Sequence, residues 1–176
     1  MAVIRPCAIY GPGDRRLLKL FRMATRRYFV LLGGGECLYH FTHVEDLTNV
    51  LMLAATHPNA VGEVFICGSD TPIRMEKIGR TVADELGLPL TVLRLPVWPF
   101  MMLATLCEVV CRPLGIAPPI YRRRVAFFTK DRAFDTGKLR NVLGYETTIP
   151  DEKGLRETAQ WYIENDWISL RKRGHS

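Results

Sequence analysis

Two histidines stand three residues apart in Tyr39-His-Phe-Thr-His43, a spacing some metal sites use. Histidine titrates near neutrality, so either ring could also serve acid/base chemistry. The same stretch has a plainer reading. Thr42-His-Val-Glu45 carries capping-box spacing, and Leu47, Val50, Leu51 and Ala54 after it form one helical stripe, which places Asp46 in a first turn where the macrodipole favours a carboxylate. Tyr10 precedes the turn-forming Gly11-Pro-Gly-Asp14 and can either face a ligand or cap that turn. Gly33-Gly-Gly35 can be read as a phosphate loop, but a turn using positive φ accounts for it more simply. The five cysteines form no Cys-x-x-Cys pair and follow no secretory signal, so they read as reduced thiols of a cytoplasmic chain.

The elements that must position these groups alternate. Ala2-Val-Ile4 is a short apolar strand, and Leu17, Leu18, Phe21 and Ala24 mark an amphipathic helix. Phe29 to Leu32 and Cys37 to Tyr39 read as two strands joined by the glycine turn. After the Asp46 helix, which should end near His57-Pro58, come a buried strand at Val64-Phe-Ile66 and a helix through Ile78, Val82 and Leu86 closed by Gly87. Leu90 to Leu95 is another strand. A helix from about Val97 to Cys111 begins with the uncharged run Leu95 to Cys107, too short to span a bilayer, whose apolar surface faces a core, a ligand pocket or a membrane interface. A Pro-rich connection from Arg112 to Pro119, a helix near Thr136 to Leu143 and a last helix with Asp151 as N-cap complete the chain. Alternating strands and helices define an α/β protein. A short all-apolar strand belongs between two neighbours of a parallel sheet, so a chain opening on Val3 is expected to start midway through one.

With 176 residues, nearly half of them apolar, the chain can bury a substantial core. The net charge of +6 is scattered over Arg15-Arg16, Arg26-Arg27, Arg122-Arg-Arg124 and Arg171-Lys-Arg173. Without aromatic interleaving or zinc spacing, this implies a solvated surface and no nucleic-acid partner.

Arg5-Pro-Cys-Ala-Ile-Tyr-Gly-Pro-Gly-Asp14, Phe41-Thr-His-Val-Glu-Asp46, Gly62-Glu-Val-Phe-Ile66, Phe134-Asp-Thr-Gly-Lys138 with Leu143-Gly-Tyr145, and Gly154-Leu155 before Trp161-Tyr162 follow a familiar order. They resemble the carboxyl-terminal half of extended short-chain dehydrogenase/reductases, the NAD-dependent epimerase/dehydratase and 3β-hydroxysteroid dehydrogenase group. The resemblance implies the C-terminal part of a Rossmann-like doubly wound parallel sheet plus a small, mainly helical substrate-binding subdomain, here divided as residues 1–70 and 71–176. It implies that Pro6 and Ile9 border the nicotinamide of NAD or NADP and that Ala8 and Tyr10 face the substrate cleft. It also implies that His43 holds a loop rather than a proton or a metal.

Chemistry in that group depends on a Tyr-x-x-x-Lys pair, whose tyrosine moves the hydroxyl proton. Four residues beyond Tyr10, Tyr28, Tyr39, Tyr121, Tyr145 and Tyr162 stand Asp14, Leu32, His43, Val125, Ile149 and Asp166, so the pair is absent. The glycine-rich dinucleotide turn is absent as well. The chain alone is therefore expected neither to turn over substrate nor to bind NAD(P) appreciably, and to associate with itself or with a separate amino-terminal half.

Nucleotide-sugar members carry an arginine, used as a phosphate clamp, where this chain has Tyr39. Its absence disfavours a diphosphate substrate. Trp98, Phe100, Met101, Met102 and Leu106 instead suit a large apolar alcohol of sterol type, with Tyr39, Trp98 and Met101 as substrate contacts beside Ala8 and Tyr10. The alternatives are half of a nucleotide-sugar epimerase or dehydratase, and a non-catalytic interaction module.

Overall fold

The computed structural model describes residues 1–111, 115 and 130–170. The Pro-rich connection, the Arg122 to Arg124 run and the Arg171 to Arg173 tail lie outside the described residues.

Three strand pairs are parallel. β1 (Val3–Pro6) lies beside β6 (Val64–Cys67), β2 (Ala8–Tyr10) beside β5 (Phe41–His43), and β3 (Tyr28–Leu32) beside β8 (Thr91–Leu95). The fourth pair, β4 (Leu38–Tyr39) with β7 (Ile73–Arg74), is antiparallel. The Cys67 carbonyl accepts both the Cys7 N–H at 2.8 Å and the Thr42 hydroxyl at 2.7 Å, which stitches the first two ladders together.

Helices cover both faces, as parallel strands with two apolar sides require. On one face, α1 (Leu18–Ala24), α3 (Met75–Glu85) and α6 (Asp151–Glu164) enclose Tyr10, Phe29, Phe41, Ile78, Val82 and Tyr162. On the other, α2 (Val44–Thr56) and α5 (Gly137–Leu143) pack Val50, Phe65, Leu139 and Leu143. The β3–β8 ladder and both cores run across residue 70, so the two segments expected from the sequence interlock in space.

The structure corrects three expectations. Gly33 and Gly35 do adopt positive φ, 76° and 74°, but the strands they join do not form a hairpin. β3 is claimed by the parallel β8 and β4 by the antiparallel β7, because these distant partners bring more apolar surface than a local turn can. The N-cap of α2 is His43, whose Nδ1 accepts the Glu45 N–H, because the Thr42 hydroxyl is drawn to the Cys67 carbonyl. Asp151 is the first residue of α6 rather than its cap, which is Pro150.

α4 (Trp98–Cys111) does not fill the core with its apolar stripe. Only Ala104 is buried, while Trp98, Met102, Leu106 and Val109 form an exposed ridge along one side. No helix among the described residues is long and apolar enough to cross a membrane. All five cysteines are free, and burial pushes the Cys7 and Cys67 thiols up to about 11 and about 12.

Candidate functional site

Strand alternation and register place three of the expected substrate residues, Ala8, Tyr10 and Tyr39, on one face. Ala8 pairs with Phe41 and Tyr10 with His43, and paired residues share a face of the sheet. Tyr39, two residues before Phe41, belongs to that face too. The rings confirm it, with centroids 5.9 Å apart for Tyr10 and Phe41 and 6.3 Å for Tyr39 and Phe41. Pro6 is exposed at the end of β1, Ala8 is exposed, and Ile9 is half-buried with its side chain on the opposite face.

Tyr10 and Tyr39 are structural as well as facial residues. They are 1% and 2% exposed, so neither presents an open surface in this chain. The Tyr10 hydroxyl donates to an Asp151 carboxylate oxygen at 3.3 Å, tying β2 to the start of α6. Burial pushes Asp151 up to about 6, against hydrogen bonds from Ser69 and Tyr10 that pull it down. Burial also raises Tyr39 to about 12.

The two histidines separate, because positions 40 and 43 fall on opposite faces of the strand. His40 Nδ1 accepts the Phe134 N–H at 2.9 Å, and burial lowers its pKa, so the ring is neutral. His43 packs edge-on against Tyr10, 5.2 Å between centroids. The Nε2 atoms of both are buried without a hydrogen-bond partner. Among the described residues no group of three metal-ligand side chains comes together.

Trp98 and Met101 lie in the first turn of α4, which starts three residues beyond the end of β8, and they diverge. Trp98 stands on the exposed ridge, 66% accessible, while Met101 is half-buried. A hollow of about 450 Å³ opens instead beside His40, Gly68, Asp70, Phe134, Arg140 and Tyr145, and none of the expected site residues line it.

Sequence reasoning missed Arg132. It bridges to Tyr39 in parallel register, receives a hydrogen bond from the His40 N–H on its carbonyl, and donates its own N–H to the Leu38 carbonyl. Its guanidinium carbon lies 6.0 Å from the centre of the Tyr39 ring. No local signal marks it, since its partner is more than ninety residues away in the chain.

Parallel strands covered on both faces, with Pro6 and Ala8 exposed where β1 passes into β2, form a Rossmann-like α/β arrangement. Residues 1–97 match the 3-beta hydroxysteroid dehydrogenase/isomerase family, and the chain belongs to that family. It is 29% identical over 169 residues to 3beta-hydroxysteroid-dehydrogenase/decarboxylase isoform 2 of Arabidopsis thaliana, covering 88% of this chain and 30% of that one. It is 30% identical over 170 residues to a decarboxylating sterol-4-alpha-carboxylate 3-dehydrogenase of Schizosaccharomyces pombe, covering 91% of this chain and 49% of that one. The chain thus spans half or less of these relatives' length. A UDP-glucuronic acid 4-epimerase from Bacillus cereus, solved with UDP-glucuronic acid and NAD, shares the fold at a TM-score of 0.63 and 18% identity, over 93% of this chain and 45% of that one.

Proposed function

We propose that these residues form the substrate-side part of an NAD(P)-dependent oxidoreductase acting on a secondary alcohol or ketone of an apolar, sterol-like molecule. The observation that carries this reading is the single face shared by Ala8, Tyr10, Tyr39 and Phe41, next to the exposed strand end at Pro6, in a chain of the 3β-hydroxysteroid dehydrogenase family. The described parts of residues 1–70 and 71–176 act in it as one interlocked unit.

Pro6 and Ile9 suit the border of a nicotinamide ring. The chain offers no glycine-rich strand-to-helix turn for the pyrophosphate and no Tyr-x-x-x-Lys pair for the proton, so these residues alone do not fit a whole dinucleotide, and no hydride step follows from them. The remaining machinery is supplied by a segment that docks on β1. That strand has β6 on one side and no second strand among the described residues on the other, beside an apolar groove formed with Leu51, Ala54 and Val61.

Titrating the purified chain with NADH and NADPH, read by cofactor fluorescence, should show no saturable binding in the micromolar range. A 3β-hydroxysterol delivered from cyclodextrin should perturb tryptophan fluorescence saturably. Micromolar NAD(P)H binding overturns the first part, and absence of any sterol effect overturns the second.

A further inference from the structure

We propose that the hollow between α3, the start of α6 and the loop from Ser69 to Ile73 binds a small primary amine as its ammonium ion. This ligand is separate from the apolar molecule assigned to the sheet face and does not depend on that reading.

The hollow, about 360 Å³ in volume, carries three carboxylates, and two of them are already balanced. Asp70 meets the Arg140 guanidinium at 2.7 Å and the Thr147 hydroxyl at 2.9 Å, while Glu152 pairs with Lys77 on the exposed rim. Asp151 has no cation against it among the described residues. Its partners there are hydroxyl groups, Tyr10 at 3.3 Å and Ser69. It is half-buried, and burial, with the fields of Asp46 and Asp70, pushes its carboxyl up to about 6. Near neutral pH the hollow is therefore left with one negative charge that no cation offsets.

A second group in the same wall also lacks a partner. Thr81 lines the hollow from α3 and is 5% exposed. The other threonines inside the described helices, Thr48, Thr56, Thr105 and Thr158, each donate a hydroxyl to the carbonyl four residues earlier. Thr81 makes neither that bond nor another among the described residues, and its oxygen is not sealed inside the protein. A helical hydroxyl that forgoes the local carbonyl is left for an occupant of the hollow.

An ammonium matches this pair of vacancies. It offsets the Asp151 charge, and its three N–H donors reach a carboxylate and a hydroxyl with one to spare for Ser69. Ile73 and Leu155 supply apolar surface for a short hydrocarbon body. A metal ion fits less well, because among the described residues no three metal-ligand side chains come together.

Isothermal titration calorimetry of the purified chain at pH 7.5 with phenethylamine, 2-phenylethanol and phenylacetate tests this, since the three probes share one body and differ in the head group. The amine should bind saturably and about tenfold or more tighter than the alcohol, which cannot form the charge-assisted hydrogen bond, and phenylacetate should not bind. Asp151→Asn should bring the amine down to the affinity of the alcohol, and Thr81→Val should weaken it about threefold. Because the comparison of probes uses the unaltered chain, it stands even if a variant folds poorly. Equal binding of amine and alcohol, binding of phenylacetate, or binding of none of the three overturns the proposal. Amine binding unchanged in Asp151→Asn overturns it too, by placing the amine elsewhere on the chain, and binding unchanged in Thr81→Val overturns the part given to that hydroxyl. None of these outcomes bears on the sterol-like reading.

Discussion

The Tyr145 hydroxyl donates to Asp46 Oδ1 at 2.6 Å, joining the first turn of α2 to the segment that follows α5, 99 residues later. The same oxygen accepts the Thr148 N–H at 2.9 Å and the Thr148 hydroxyl at 2.7 Å, and Oδ2 accepts the Ile149 N–H at 3.4 Å. Asp46 is 3% exposed, so among the described residues this buried carboxylate is balanced by its hydrogen-bond donors.

Asp46→Ala should therefore destabilise the protein by about 2–4 kcal/mol, because four donors lose a charged acceptor at once. Tyr145→Phe, which removes one donor, should cost about 1–2 kcal/mol. Urea unfolding of the two variants measures both, and equal small losses would show that water replaces the network.

Asp46 and Asp151 give opposite pH dependences. Burial pushes Asp46 up, but the hydrogen bonds from Tyr145, Thr148 and Ile149 outweigh it and hold the carboxyl below its usual range. Its stabilising contribution is present above the ordinary carboxylate pKa and is lost as pH falls through the depressed value. Asp151, raised to about 6, contributes fully below its ordinary pKa, and that contribution is lost as pH rises through about 6. Asp151→Asn should accordingly raise Tm at pH 7.5 while changing it little at pH 4. Thermal melts at the two values decide it, and an equal shift at both would assign the effect to something other than ionisation.

Gly154 is required by contact rather than by conformation. A Cβ there would meet the Tyr10 hydroxyl oxygen at 2.5 Å and His43 Cδ2 at 3.1 Å. Gly154→Ala should lose about 1–2 kcal/mol net, the overpacking exceeding the roughly 1 kcal/mol that alanine gains in a helix. Lys153→Ala, exposed one residue earlier, should stay within about 0.5 kcal/mol, as denaturant midpoints will show.

The exposed ridge of α4 should drive association. Replacing Trp98, Met102 and Leu106 by glutamine removes a contiguous apolar patch at positions that carry little packing. Sedimentation velocity should show self-association of the parent chain and a shift towards monomer in the triple variant. No change would assign association to the open edge of β1.

Local pattern was enough for much of the chain. Period-2 and period-3.6 apolar spacing located β6, β8, α2, α3 and α5, and the glycines at 33, 35 and 87 took the positive φ values their turns imply. The order of short motifs, each weak alone, carried the family, while the register is what gathers Ala8, Tyr10 and Tyr39 on one face. The same local reading paired β3 with β4 because they are neighbours in sequence, and capped α2 with Thr42 because the spacing allowed it.

What the residues settle by themselves is chemistry that depends on presence and spacing: which strands are apolar, where helices start, and that no Tyr-x-x-x-Lys pair lies within these 176 residues. Partner choice belongs to the tertiary structure. β3 finds β8, Thr42 finds Cys67, Asp46 finds Tyr145 and Tyr39 finds Arg132, each across a chain separation that leaves no periodic trace. These contacts are decided by competition for buried surface and buried hydrogen bonds, and that competition exists only once the chain has collapsed.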